Sequence, residues 1–291
     1  MLLGTVQITG ETLGQAEVES ICHSLRDNSI RLLSLRECAV QDDDFKKLVE
    51  GVKKNESLVQ LNLNLGICNG KQRIRWLAEA LTGNKSLNAL FLHGTHLGDH
   101  GLEVLLPALR SHPNLQSLDL GDCQIGDDGI QHICRLLVSN DSKDNIQDLT
   151  LSANQNVTAY GWTQLAMAIA ANSQIRGLYL DYNNIGDYGA GIFSVAMAAN
   201  KNLERLDLEG TGITDKGAEL LSSSLKQYCK RLQELVLAEN PISEDLVERI
   251  NDSLICKVSE SIANGEESDN NGPPKHPKQS PRGGGDTEVK D

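Results

Sequence analysis

Leucine and isoleucine recur along this chain in a fixed frame, separated by polar positions. The frame reads L-x-x-L-x-L-x-x-(N/C/T)-x-(L/I) and returns from near the start of the chain almost to residue 245. Its second apolar position is occupied in turn by Leu33, Leu61, Leu90, Leu118, Leu149, Leu178, Leu206 and Leu235. These leucines lie 28 to 31 positions apart, and a weaker copy around Val6 precedes them. Such a period indicates a solenoid in which each repeat is one structural unit.

The L-x-L part of the frame predicts a short strand, because residues two positions apart point to the same face of a strand. Three positions later the chain turns, and we expect the side chain there to bond neighbouring backbone groups. We call these positions the ladder residues. They are Cys38, Thr95, Cys123, Asn154, Asn183, Thr211 and Asn240.

Between the frames, apolar residues recur with helical spacing, as at Leu102, Leu105 and Leu109. This spacing gives each helix one apolar face. Four asparagines fall where helices should end: Asn55, Asn84, Asn172 and Asn200. Because asparagine tolerates the left-handed C-cap conformation, we expect that conformation at these four positions.

A strand and a helix in every repeat predict an α/β leucine-rich repeat solenoid of about eight to nine repeats. We expect a horseshoe with a parallel sheet on the concave face and helices on the convex face. The predicted repeat domain spans residues 1–256, with residues 1–27 as an N-terminal capping repeat. Residues 257–291 are acidic and rich in proline and glycine, which predicts a disordered tail.

The charge and cysteine content limit the function and the location of the protein. A net charge of −13 opposes nucleic-acid binding, because phosphate contacts need a basic face. No apolar run approaches the ~18 residues that indicate a membrane span, and no signal peptide is recognisable. Seven cysteines without a CxxC pair favour small buried thiols in a reducing compartment. The expected location is the cytoplasm, with the nucleus as the other option.

One repeat departs from the frame. After Leu63 the ladder position falls on Gly66, and the basic residues Lys71, Arg73 and Arg75 follow. We expect these three residues to lie in a loop that bulges at one rim of the solenoid.

The residues that flank the inward leucines should line the concave face. In the C-terminal half of this face the acids among them are Asp119, Asp122, Asp148, Asp181, Asp207, Glu209, Glu234 and Glu239, against the single base Arg205. The same face carries His93 and, as expected aromatic anchors, Phe91, Tyr179 and Tyr182. Acids and aromatics together predict a binding site for a basic segment of a protein partner. The competing interpretation is the solvated surface of an acidic protein.

The chain shows no GxSxG, no phosphate-binding P-loop and no His/Cys/Asp set with metal-ligand spacing. We therefore predict no catalytic residues, no metal and no cofactor. Two other functions remain open. One is a GTPase-activating protein, for which Arg36, Arg73 and Arg75 are the candidate arginines. The other is an architectural subunit that buries its convex helices in an assembly.

The repeats at residues 118–123, 149–154 and 206–211 resemble those of the ribonuclease-inhibitor-like leucine-rich repeat family. That family includes the repeat domains of NOD-like receptors. The resemblance covers residues 1 to about 250 and extends to outward as well as inward positions. It implies a horseshoe that acts as an intracellular protein-interaction scaffold, and it brings no catalytic residues and no cofactor. Neither the identity of the partner nor the oligomeric state follows from it.

Overall fold

The alternation of short apolar frames with amphipathic segments produces one open sheet of parallel strands, each followed by a helix. A computed structural model describes residues 4–138, 146–171 and 174–263, with side chains up to residue 256. Within these ranges there are nine strands and nine helices, and the strands lie in chain order across the sheet. The predicted leucine-rich repeat solenoid is confirmed.

Two strands at the N-terminal end are long and the others span three residues each. They are β1 (Gly4–Thr9), β2 (Ile30–Arg36), β3 (Gln60–Asn62), β4 (Ala89–Phe91), β5 (Ser117–Asp119), β6 (Asp148–Thr150), β7 (Gly177–Tyr179), β8 (Arg205–Asp207) and β9 (Glu234–Val236). The frame leucines of adjacent strands are direct Cα partners from Leu33 to Leu235. One buried leucine column therefore runs through the molecule.

The helices form a second layer in which each contacts the next along the chain. They are α1 (Gln15–Arg26), α2 (Asp42–Lys54), α3 (Lys71–Gly83), α4 (Gly98–Ser111), α5 (Asp127–Leu137), α6 (Ala159–Ala170), α7 (Gly186–Ala199), α8 (Asp215–Gln227) and α9 (Glu244–Ala263). Their inner faces cover the leucine column, and Trp162 and Phe193 are the largest fully buried side chains after the middle of the array. The core is thus a continuous layer between sheet and helices.

The ladder residues bond the backbone of their own repeat and of the one before it. Asn154 is fully buried, and its Nδ2 donates to the carbonyls of Leu120 at 2.9 Å and Leu151 at 3.0 Å. Its Oδ1 accepts from the backbone N–H groups of Cys123 at 3.2 Å and Ile125 at 3.0 Å. One side chain therefore satisfies backbone groups that the turn leaves unpaired.

The shorter ladder side chains make fewer of these bonds. The thiol of Cys123 donates to the carbonyl of Leu92 at 3.2 Å, and the hydroxyl of Thr211 donates to that of Leu208 at 2.7 Å. The thiol of Cys38 is directed in the same way, toward the carbonyls of Ile8 and Arg36.

Two ladder residues depart from the pattern. Among the described residues, neither Thr95 Oγ1 nor Asn183 Oδ1 has a hydrogen-bond partner, although both atoms are buried. For Asn183 the cause lies in the preceding repeat, where Gln155 and Asn156 add one residue after Asn154. Val157 then occupies the apolar position one residue late, and its N–H donates to the carbonyl of Asn154 at 3.2 Å instead of to Asn183 Oδ1.

The expected left-handed conformation of the helix-end asparagines is wrong at the three described positions. Asn55, Asn84 and Asn200 end their helices with extended backbone, at φ values between −77° and −73°. Their side chains explain the preference for asparagine. In Asn55, Nδ2 donates to the carbonyl of Leu25 at 2.7 Å, and Oδ1 accepts from the N–H of Ser57 at 2.9 Å. Asn172 lies outside the described residues.

Two boundaries also differ from the prediction. Lys71, Arg73 and Arg75 lie in α3, because the helix already begins at Lys71, immediately after the turn at Gly70. At the other end, α9 continues to Ala263, past the predicted domain boundary at residue 256. The rest of the predicted tail, residues 264–291, lies outside the described part of the chain.

Candidate functional site

From β2 to β9, parallel pairing without register shifts places outward side chains of successive repeats in rows across the sheet. One row contains Phe91, Asp119, Thr150, Tyr179 and Asp207, which are direct Cα partners in that order. A neighbouring row contains Ser117, Asp148, Gly177, Arg205 and Glu234. Because adjacent strands lie about 4.8 Å apart, side chains that are some 29 residues apart in sequence become neighbours in space.

Three of the expected binding residues are buried. Phe91 is 4% exposed, Asp119 3% and Glu209 6%. The expectation that Phe91 is an exposed aromatic anchor is therefore wrong. Side chains on the concave side of the sheet are spaced at ~4.8 Å and cover one another. A large ring such as that of Phe91 is therefore enclosed by the side chains on the adjacent strands.

Arg205, the one base in these two rows, is already paired. Arg205 Nη2 lies 3.0 Å from Asp148 Oδ1, and Arg205 Nε donates to the hydroxyl of Tyr179 at 3.1 Å. The contact between Arg205 and Asp148 passes over Gly177, which lies between them in the row. A Cβ added at Gly177 would overlap the Asp148 carboxylate. We call Asp148, Tyr179 and Arg205 the arginine clasp. It neutralises Asp148 and leaves the acids of β8 and β9 without a compensating base in these rows.

Tyr182 joins the acids of two further repeats. Its hydroxyl lies 2.9 Å from Glu209 Oε1 and 3.2 Å from Glu239 Oε2, and the ring crosses Gly210. Desolvation and the two carboxylates raise the pKa of Tyr182. Since one hydroxyl proton serves two carboxylates, the cluster keeps a net negative charge.

The other acids differ in exposure. Asp122, Glu234 and Glu239 are exposed, whereas Asp181 and Asp207 are half-buried. Burial raises the pKa of Asp181, whose Oδ1 accepts a hydrogen bond from the hydroxyl of Ser152. The open acidic surface therefore lies mainly on the last two strands and the turns that follow them.

At the N-terminal margin of the face, His93 Nδ1 lies 3.7 Å from Asp119 Oδ1. The ring sits over Gly121, where an added Cβ would overlap Nδ1. The interaction with the Asp119 carboxylate raises the pKa of His93 above its ordinary value of 6.5, against the opposing effect of burial. A protonated His93 partly neutralises the buried carboxylate.

We expect an NMR pH titration to place the His93 imidazole pKa above 6.5 in the folded protein. In Asp119→Asn the pKa should fall, since the negative charge is removed. A raised folded pKa also fixes the sign of the stability effect. The contribution of the pair is fully present below pH 6.5 and is lost as pH rises through the folded pKa. An unchanged His93 pKa in Asp119→Asn would contradict the assignment, and His132 provides a control imidazole on α5.

The arginines considered for GTPase activation have unequal surroundings. Arg73 pairs with Asp42 at 2.7 Å, donates to the carbonyls of Ile67 and Val40, and lies over the Phe45 ring. Its side chain is only 16% exposed, so it ties α3 to α2. Arg36 is half-buried and Arg75 is exposed. Over the described residues no group of three or more His, Cys, Asp or Glu side chains is arranged to hold a metal ion.

Sequence reasoning missed an exposed apolar surface on the helix layer. Its members are Tyr160, Met167, Tyr188, Val195 and Leu220. The signal was present in the composition, because α6 has no charged residue and α7 has only Asp187. Within the described ranges, no helix has both the length and the apolar character needed to cross a bilayer.

Comparison with known proteins gives consistent results. The family model described as "Leucine Rich repeat" matches residues 111–134 and 199–222. Leucine-rich repeat-containing protein 73 from Rattus norvegicus is 48% identical over 254 residues, which cover 87% of this chain and 80% of that protein. Its counterpart from Homo sapiens is 47% identical with the same coverage.

Among solved structures, the fold is similar to that in the Rad7 and Elc1 complex of yeast, with a TM-score of 0.56. Identity there is 14%, and the match covers 81% of this chain and 57% of the other. At that identity the similarity concerns the fold alone.

Proposed function

The chain belongs to the leucine-rich repeat proteins, in the family of leucine-rich repeat-containing protein 73, and from this premise we propose that it is a non-catalytic protein-interaction scaffold. Its concave face binds a basic segment of a protein partner. The observation that carries this proposal is the uncompensated acidity of the C-terminal half of that face. The only base in its rows, Arg205, is held by Asp148.

The proposed contact surface consists of exposed and half-buried acids on consecutive repeats. They are Asp181, Asp207, Glu234 and Glu239, with Tyr182 between the last two repeats as the remaining aromatic contact. Acids on consecutive repeats suit an extended segment with lysine or arginine along its length. The same charges repel a nucleic-acid backbone.

Glu209 and Asp119 have a supporting role in this proposal. Glu209 is buried against the Tyr182 hydroxyl, and Asp119 accepts from the backbone N–H of Gly121 at 2.9 Å. Each orients a neighbouring group and contributes to the electrostatic potential without direct contact with the partner. Phe91 has no place in the contact surface, because it is buried.

The test is affinity capture from cell lysate with the wild type and two triple variants, read by mass spectrometry at low and high salt. The first variant, Asp207→Asn/Glu234→Gln/Glu239→Gln, neutralises the concave acids. We expect a partner that binds wild type to lose roughly tenfold in affinity, since each exposed charge contributes about 0.2–1 kcal/mol. High salt should release the same partner.

The matched control, Asp43→Asn/Asp128→Asn/Glu248→Gln, removes the same charge from exposed helix positions. It should retain the partner. If all three proteins capture the same set at both salt concentrations, the concave acids are a solvated surface and the proposal is wrong. Direct titration of the captured protein's basic segment by fluorescence polarisation then measures the affinities.

A further inference from the structure

The outer faces of α6 and α7 are apolar, unlike those of the neighbouring helices. A helix on the surface of a solenoid is expected to present charged and polar residues to water. Instead Tyr160 is 57% exposed, Met167 60%, Tyr188 65%, Val195 65% and, on α8, Leu220 49%. Exposed apolar residues clustered in this way mark interaction sites.

Four of these side chains, Met167, Tyr188, Val195 and Leu220, line a groove along α7. Met167 on α6 and Leu220 on α8 form its walls, Tyr188 and Val195 lie at its ends, and Gly191 lies between them. Glycine inside a helix costs roughly 1 kcal/mol relative to alanine. At Gly191 the backbone does not require it, and an added Cβ would meet only the flexible end of Leu220, at 3.3 Å. The glycine therefore keeps the groove open for an approaching backbone.

Charge around the groove is divided between its two ends. Because all helices of the solenoid run in the same direction, their N-terminal residues lie at one edge and their C-terminal residues at the other. Asp187, Asp215 and Glu219 lie toward the N-terminal edge, opposed only by Lys216, while Lys201 and Lys226 lie at the C-terminal edge. Such a surface is complementary to a copy of itself turned by 180°.

The C-terminal segment of this chain is one candidate for covering the groove, but its composition does not fit. Residues 264–291 contain one aliphatic residue, Val289, among charged, polar, glycine and proline residues, so this segment cannot cover an apolar groove. The area suits a second copy. Three helices about 20 Å long and about 10 Å apart present a face of roughly 20 by 30 Å. That is comparable with the ~800 Å² that a stable interface buries on each partner.

We propose that the face formed by α6, α7 and α8 is the two-fold interface of a homodimer, with α7 of one copy antiparallel to α7 of the other. Tyr188 of each copy packs beside Val195 of the other, and the acidic edge of each copy meets the basic edge of the other. The proposal is independent of the concave face, which remains open on the opposite side of both copies.

The test is the molar mass of the full chain by sedimentation equilibrium over a range of concentrations. Wild type is expected to reach twice the chain mass of 31.7 kDa. Val195→Glu should raise the dimer dissociation constant by roughly tenfold or more, because it places a charge in the apolar contact with Tyr188 of the other copy. Met167→Glu is a second disruption on another helix, in case Val195→Glu alters the fold by circular dichroism.

Ile255→Glu is the matched control, since Ile255 on α9 is 63% exposed and lies outside the groove. It should remain dimeric. A monomeric wild type at every concentration overturns the proposal, as does a dimer that neither Val195→Glu nor Met167→Glu weakens.

Cysteine cross-linking tests the antiparallel arrangement. Gly191→Cys, near the middle of α7, should form a covalent dimer on mild oxidation, because residues near a two-fold axis meet their own counterparts. Ala199→Cys, at the exposed end of the same helix, should not. Cross-linking at residue 199 without cross-linking at residue 191 overturns the proposed geometry.

Discussion

Replacement of Asn154 by leucine is expected to lower the free energy of unfolding by roughly 3–5 kcal/mol. The substitution keeps the number and branching of the side-chain heavy atoms, yet three backbone groups lose their partner. These are the carbonyl of Leu120 and the N–H groups of Cys123 and Ile125. All three lie in the interior of the array, so water does not replace the amide, and each unsatisfied group costs about 1–3 kcal/mol. Urea denaturation followed by circular dichroism measures the change.

Two other asparagines serve as controls for Asn154→Leu, because they differ from Asn154 in burial. Asn240 makes the same set of bonds in the last repeat, to Leu208, Leu237, Thr211 and Ile213, but it is only half-buried. Asn240→Leu should therefore cost less than Asn154→Leu. Asn156→Ala, at an exposed neighbour, should change stability by less than about 0.5 kcal/mol. Equal effects at residues 154 and 156 would show that the ladder bonds contribute little.

The core of the structure can be predicted from the sequence, because the spacing of the frame leucines determines it. Each frame leucine must enter the core, so the positions of Leu33 to Leu235 determine the strands and their register. Ladder positions follow from the same spacing. The exception at Asn183 also has a sequence signature, the residue added at Gln155 and Asn156, although its consequence for one buried oxygen becomes visible only in three dimensions.

The outward part was less predictable, because it depends on contacts between different repeats. The alternation of strand residues shows that Phe91, Asp119 and Glu209 point out of the sheet. It does not show that neighbours on adjacent strands then cover them. The arginine clasp is of the same kind, since Arg205 is paired with Asp148 two strands away, across Gly177. The repeat pattern in the sequence does not predict such side-chain contacts between strands.

Errors at the helix ends have a related cause. Asparagine was expected to end helices through its tolerance of left-handed backbone, but Asn55 and Asn84 act through side-chain bonds to the preceding helix and the following turn. The apolar convex face needed no three-dimensional information. Its signal is the lack of charge in α6 and α7, because an apolar stripe predicts the inner face of a helix and leaves the outer face to the remaining residues.

Because of the arginine clasp, we expect Gly177→Ala to destabilise the wild type and to stabilise a variant that lacks the Asp148 carboxylate. Gly177→Ala is expected to lower the free energy of unfolding by roughly 1–2 kcal/mol, because the new Cβ displaces the Asp148 carboxylate from Arg205. Backbone strain is not involved, since Gly177 lies in β7 and has no left-handed conformation to preserve. The penalty should therefore depend on the presence of the carboxylate.

In an Asp148→Ala background, Gly177→Ala should instead raise stability by about 0.5–1 kcal/mol, the ordinary gain of alanine over glycine inside a strand. A double-mutant cycle of the four proteins, measured by urea denaturation, gives the coupling energy directly. Gly4→Ala is the matched control, because an added Cβ in β1 would meet no atom closer than 3.5 Å, and it should show no coupling to Asp148. If Gly177→Ala costs the same in both backgrounds, the glycine is required by some contact other than the clasp. Tyr179, whose ring and hydroxyl lie 3.1 Å from the added carbon, is then the remaining neighbour to vary.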